Sequence, residues 1–260
     1  MNVLEYEMVE MLRALKNQFG VFQIKAEYEA EGSRQVELMR LKEVLSEVPL
    51  PLILKIGGVE AVTDIYEALS IGARGIIAPM AETAFAVSKF LNAIDTFVPE
   101  DNQKDIEFAI NIETITAYHN LDEILKLPRI GLLKSITIGR VDFCASLGAD
   151  RSFANSDEML GYCTEIFQKA RARGLRTALG GAISLESLPF ISKIVSKGLL
   201  DKFETRKVVF PAASCSYGEA AILMALRFEL LWLKSKRRYY HRATNEDEKR
   251  IQMLEKRLGL

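Results

Sequence analysis

A chain of 260 residues with 49% hydrophobic and 27% charged residues is long enough and apolar enough to bury a full core, which excludes intrinsic disorder. Its formal net charge of −1 supplies no basic field for nucleic acid or anionic lipid, so the expected partner is a small molecule. No apolar run approaches the ~20 residues of a membrane span, and acids (Glu5, Glu7, Glu10) stand where a signal peptide would be basic; Cys144, Cys163 and Cys215 match no zinc or disulfide spacing, which together point to the reducing cytoplasm.

The chain opens on a helix over Leu4–Asn17, in which Leu4, Met8, Met11, Leu12 and Leu15 share one face. Short β-rich runs then alternate with segments of helical period. Strands are expected at Val21–Lys25, Leu52–Lys55, Gly75–Pro79, Glu107–Glu113, Ser135–Gly139, Arg176–Leu179 and Lys207–Phe210. The helices between and after them read as Gln35–Val48, Val59–Ser70, Thr83–Phe97, Thr116–Leu127, Ser156–Arg173, Leu185–Lys197 and Glu219–Lys236. Such alternation specifies an α/β fold with a parallel sheet, and about seven units in this length suit a closed TIM-type (β/α)8 barrel with one irregular strand. No linker divides the chain before Arg237, so residues 1–236 read as one barrel domain. Residues 237–260 read as a C-terminal helical tail in which Thr244 caps a polar helix to Leu260.

In a barrel the chemistry belongs at the C-terminal ends of the strands. Alternation in the first strand turns Phe22, Ile24 and Ala26 toward the helices and Gln23, Lys25 and Glu27 into the barrel, where buried charges need partners or a ligand. The same parity groups Ala109, Asn111 and Glu113, and the next strand ends at Gly139 just before Asp142. Glu113 and Asp142 on neighbouring strand ends form a hard oxygen site suited to Mg²⁺ or Mn²⁺; Asp142 would equally serve as a cap for the following turn. Gly57-Gly58, Gly180-Gly181 and Ala212–Ser216 follow strands, where backbone N–H groups hold anions or glycine simply relieves a tight turn. His119 falls inside a helix and His241 in a basic segment, so any general base is sought among Glu27, Tyr28, Glu29, the lysines and metal-bound water.

The stretches LKIGGVEAVTDIYEALSIGARGIIAPMAETAFAV, INIETITAYHNLDEIL and IGRVDFCASLG resemble the HpcH/HpaI aldolase and citrate-lyase β-subunit family of metal-dependent barrel enzymes acting on pyruvate-like keto acids. The resemblance implies that Glu113 and Asp142 hold the metal, that Asn111 replaces a family Gln, and that Lys55 and Arg140 take substrate oxygens. Lys55 stands where the family carries an Arg and Arg140 where it carries a Pro. A family Asp-Gly-Glu-His segment reads Lys25-Ala26-Glu27-Tyr28-Glu29, without the histidine.

The expected activity is a metal-dependent carbon–carbon lyase or aldolase on a keto acid or acyl substrate. Glu27, Lys55 and Arg140 are its candidate catalytic residues, and Gln23, Lys25, Asn111 and Gly139 its candidate substrate contacts. Two alternatives remain at this point: a Schiff-base aldolase using Lys25 or Lys55, and a catalytically altered barrel that binds a ligand. The segment Ala220–Leu233 is apolar around most of its circumference, so one side is expected to pack on the barrel and the other on a second copy of the chain.

Overall fold

The computed structural model describes residues 1–258. In chain order the elements are α1 (Val3–Phe19), β1 (Gln23–Glu27), α2 (Gln35–Ser46), β2 (Leu52–Lys55), α3 (Val62–Ser70), β3 (Gly75–Ala78), α4 (Ala84–Phe97) and α5 (Glu100–Gln103). They continue with β4 (Glu107–Ile112), α6 (Ile115–His119), α7 (Leu121–Ile124), β5 (Leu133–Gly139), α8 (Arg140–Ser146), α9 (Asp157–Ala172) and β6 (Arg176–Gly180). The last are α10 (Leu188–Ser196), β7 (Lys202–Glu204), β8 (Val208–Pro211) and α11 (Glu219–Leu258).

The eight strands close in sequence order into one barrel. Strands β1 to β7 run parallel, and β8 runs antiparallel to both β7 and β1. The expected TIM-type barrel with one irregular strand is therefore present. The strand missing from the sequence pattern is β7, three residues long, joined to β8 by a hairpin at Thr205–Lys207.

Strand parity organises the interior. Ile24 and Ala26 are fully buried against the helices, while Gln23, Lys25 and Glu27 point inward. An apolar plug of Ile53, Ile77, Ala109 and Val209 fills the middle of the barrel. At the floor, Glu107 accepts from Gln23 Nε2 (3.0 Å), Ser135 Oγ (2.8 Å) and Lys202 Nζ (2.7 Å). Burial alone would raise the Glu107 carboxyl, but Lys202, Gln23 and Arg176 outweigh it and hold it down to about 2.

Two findings concern the C-terminus: one corrects the expected helix break, and the other identifies the side of α11 that packs on the barrel. First, α11 is one continuous helix of 40 residues, about 60 Å long at 1.5 Å per residue. Thr244 does not cap a new helix; its Oγ1 donates backward to the Tyr240 and His241 carbonyls at 3.1 Å. Gly259 and Leu260, the end of the expected tail helix, lie outside the described residues. Second, Phe228 and Trp232 belong to the inner face of α11, packed on the barrel and α1 with Ile222, Ala225 and Ser235.

Candidate functional site

The cavity at the barrel mouth, ≈ 350 Å³, is lined by strand ends, by the loops after them and by Leu226 and Glu229 of α11. Its charged lining holds six carboxylates (Glu27, Glu29, Glu113, Asp142, Glu204, Glu229) and four cations (Lys25, Lys55, Arg151, Arg206), an excess of two negative charges.

Glu113 follows β4 and is 1% exposed. Its Oε1 accepts from the Met80 N–H at 2.9 Å and its Oε2 from Asn111 Nδ2 at 3.0 Å. Met80 presents that N–H from a left-handed backbone, φ 50°, unusual for a non-glycine residue and a local strain held by the loop after β3. The carboxylate lies over Gly139: a Cβ there would stand 2.4 Å from Glu113 Oε2. Glycine at 139 is thus required by close approach. Asp142 sits in the first turn of α8, whose cap is Gly139, so Asp142 lines the cavity and is not the cap residue. Burial raises the Glu113 carboxyl above the ordinary range, Asp142 adds to this, and Lys55, Met80 and Asn111 act against it.

Across the mouth the charges form chains. Lys25 Nζ bridges Glu204 Oε1 (2.5 Å) and Glu27 Oε1 (3.0 Å), and Glu27 also meets Arg206 at 3.3 Å and Lys55 at 4.0 Å. Lys55 Nζ lies 2.7 Å from Glu29 Oε2. Burial alone would push both ammonium groups down, but the surrounding carboxylates prevail and raise them. For Glu27, burial is outweighed by Lys25, Lys55 and Arg206, which lower it.

Several sequence expectations change here. Arg140 is fully buried and faces away from the cavity: its guanidinium donates to the carbonyls of Gly180 (3.3 Å), Gly181 (2.7 Å) and Ala154 (2.8 Å) and to Asn155 Oδ1 (2.8 Å). It pins the loop after β6 to the segment after α8 and has no donor directed at substrate. Gln23 lies at the floor with Glu107, remote from the mouth. Asn111 sits behind Glu113 and reaches the cavity only through it. The Gly57 N–H is taken by Asp64 Oδ2 at 2.6 Å, and the Gly180 and Gly181 carbonyls accept from Arg140. Both histidines are exposed and outside the cavity.

Sequence reasoning missed Glu204, Arg206, Arg151 and Glu229. Glu204 and Arg206 come from β7 and its hairpin, where only the alternation Lys202-Phe203-Glu204 signals a strand. Arg151 lies beyond the strand ends, and Glu229 on a helix that a regular barrel would not bring to its mouth. Among the described residues no group of three or more His, Cys, Asp or Glu forms a complete metal cage, so a cation here would rest on the Glu113–Asp142 pair and complete its shell with water or substrate.

The sequence profile of the HpcH/HpaI aldolase/citrate lyase family matches residues 38–183. No curated protein matches the chain closely enough to count as a relative. An HpcH/HpaI aldolase from Desulfitobacterium hafniense superposes with TM-score 0.60 at 15% identity, covering 77% of this chain and 82% of that one. The citrate lyase β subunit of M. tuberculosis, complexed with oxaloacetate and magnesium, gives 0.53 at 15% identity over 83% and 93%. The Haloferax volcanii malate synthase magnesium/glyoxylate complex gives 0.54 at 14% identity over 74% and 63%. These likenesses share the fold, and the profile covers more than half of the chain: it belongs to the HpcH/HpaI aldolase/citrate lyase family and is an enzyme of the lyase type.

Proposed function

We propose that the protein is a divalent-metal-dependent carbon–carbon lyase acting on a pyruvate-like keto acid. One observation supports the reading: Glu113 and Asp142 both line a cavity at the barrel mouth that has two more carboxylates than cations. That donor set fits Mg²⁺ or Mn²⁺, which take one or two protein carboxylates and leave positions for water and substrate oxygens. The magnesium complexes of the citrate lyase β subunit and malate synthase, with oxaloacetate and glyoxylate, support the same metal and substrate class.

Glu113 and Asp142 would hold the ion, which supplies electrophilic stabilisation of negative charge developing on a keto oxygen. Asn111 and the Met80 N–H orient Glu113. Lys55 stands within electrostatic reach of Glu113, and Arg151, the lining cation with no carboxylate partner among the described residues, attracts a substrate carboxylate into the mouth. Glu27, bound to three cations, acts as a positioning group for Lys25, Lys55 and Arg206. The Schiff-base alternative is disfavoured because an attacking amine must be neutral, whereas carboxylates hold both Lys25 and Lys55 as ammonium ions.

Calorimetric titration with Mg²⁺ or Mn²⁺ tests the reading. Wild type binds the ion and Glu113→Gln loses most of that affinity; equal binding by both refutes the assignment.

The outer face of α11 exposes Leu223 (40%), Leu230 (50%) and Leu233 (51%), and after polar residues at the intervening positions Ile251, Leu254 and Leu258 return to the same seven-residue spacing. We propose that this seam pairs with a second copy of the chain. No helix among the described residues is long and apolar enough to cross a membrane. The three free thiols support a cytoplasmic setting.

A further inference from the structure

The aldol reading leaves one chemical role empty. Cleaving a γ-hydroxy-α-keto acid requires a base for the hydroxyl proton, and both histidines lie outside the cavity. Four of the six lining carboxylates are committed elsewhere or farther out: Glu113 and Asp142 to the proposed ion, Glu27 to three cations and Glu29 to Lys55. Glu229 belongs to the helix at the rim. Glu204 differs from all of them. It is 3% exposed, Lys25 fixes its Oε1 at 2.5 Å, and its Oε2 has no hydrogen-bond partner at all among the described residues. A buried carboxylate oxygen without a donor is costly, and a ligand that brings an O–H relieves it.

Its position fits the role. Gly139 and Gly180 are register partners on β5 and β6, whose backbones lie about 4.8 Å apart. Glu113 leans over Gly139 from the β4 side, and Glu204 leans over Gly180 from the β7 side, where a Cβ would stand 3.3 Å from Glu204 Oε1. The two glycines therefore form a floor with one carboxylate on each side. A keto acid held at Glu113 and Asp142 would have Glu204 on the opposite side of that floor. Glu204 is not part of any three-residue metal cluster among the described residues, and the Lys25 ammonium beside it disfavours a cation there.

We infer, resting on the lyase reading above, that Glu204 is the general base that takes the γ-hydroxyl proton of a γ-hydroxy-α-keto acid. Oε2 accepts the proton, the O–H electron pair becomes the aldehyde C=O, and the bond between the β and γ carbons breaks. Its electrons move to the α-keto group as an enolate. Return of the proton from Glu204 to the β carbon gives the shorter α-keto acid and restores the carboxylate. Lys25 is a positioning residue that holds Oε1 and leaves Oε2 without a partner.

The test compares two reactions of the Mg²⁺-supplied protein. Cleavage of γ-hydroxy-α-ketobutyrate needs the hydroxyl base, whereas decarboxylation of oxaloacetate has no hydroxyl proton to remove. In Glu204→Gln, cleavage should fall about 10²- to 10⁴-fold while decarboxylation and calorimetric Mg²⁺ affinity stay at the wild-type level. Glu204→Asp should recover part of the cleavage. Retained cleavage in Glu204→Gln, an equal loss of both reactions, or weakened Mg²⁺ binding would each overturn the role. A wild type that binds Mg²⁺ but catalyses neither reaction would overturn the lyase reading and this inference with it. A wild type that only decarboxylates leaves the metal chemistry standing and sinks the hydroxyl base alone.

Discussion

Replacing Gly139 by alanine tests the proposed metal site through a residue that would not itself touch the ion. The added Cβ would stand 2.4 Å from Glu113 Oε2 and 2.9 Å from Glu113 Cβ, whereas ordinary contact begins near 3.4 Å. The carboxylate must therefore retreat by about 1 Å, several times the ~0.2 Å tolerance of a metal–ligand distance. In retreating it loosens its hydrogen bonds to the Met80 N–H and Asn111 Nδ2. Perturbing a ligand's support typically weakens metal binding about 10–100-fold, and overpacking costs about 1–3 kcal/mol of stability. Calorimetry with Mn²⁺ and urea unfolding of the same preparation measure both. Gly161→Ala is the matched control: Gly161 is exposed within α9 and a Cβ there meets nothing within 4 Å. It should leave metal affinity unchanged and add about 0.5–1 kcal/mol through helix propensity. A folded Gly139→Ala protein with wild-type metal affinity would refute the reasoning.

Three further outcomes are expected. Arg140→Met leaves three carbonyls and Asn155 Oδ1 without their donor and should cost about 3–5 kcal/mol by urea unfolding, with Arg140→Lys restoring little because an ammonium cannot span the fork; a mild effect would mean the clamp is dispensable. Glu107 contributes stability that is complete above its unfolded value near 4.5 and is lost as pH falls toward its folded value of about 2. That shift corresponds to about 3 kcal/mol; Glu107→Gln should be less stable at neutral pH and lack this part of the acid slope, and identical slopes would contradict the assignment. Leu230→Glu should shift the protein toward the monomer in sedimentation velocity without changing near-ultraviolet dichroism, and a wild type that is already monomeric would remove the case for a self-pairing seam.

Much of the barrel was legible because a strand that is polar on one face and apolar on the other declares which side is the interior. Gln23, Lys25 and Glu27 did so in one segment, as did Asn111 and Glu113 in another. Sequence parity, however, gives the face and not the depth along the barrel. Gln23 and Glu27 share a face, yet one reaches Glu107 at the floor and the other Arg206 at the mouth. β7 stayed hidden because three residues are too few for alternation to stand out, and Glu204 was hidden with it. Arg140 was expected on substrate oxygens because it replaces a family Pro while Lys55 replaces a family Arg, whereas the long side chain of Arg140 turns back to the loop after β6. The break expected near Arg237 failed for a local reason: no Gly or Pro interrupts Glu219–Leu258, and Arg, Lys, Glu and Tyr continue a helix at little cost.

The reversed eighth strand decides where the chain leaves the barrel. In a uniformly parallel barrel the last strand climbs to the mouth and the helix after it descends. Here β8 descends from the hairpin, Ser214 anchors the turn below it to the carbonyl of Phe19, and α11 rises past the rim, where Leu226 and Glu229 reach the cavity. Beyond that point the inner face of α11 stays packed: Trp232 and Ser235 are buried, Ser235 donates to Glu5 of α1, and Tyr240 donates to Glu37 of α2. One helix therefore both walls part of the cavity, through Leu226 and Glu229, and carries the last described residues of the chain, 230–258.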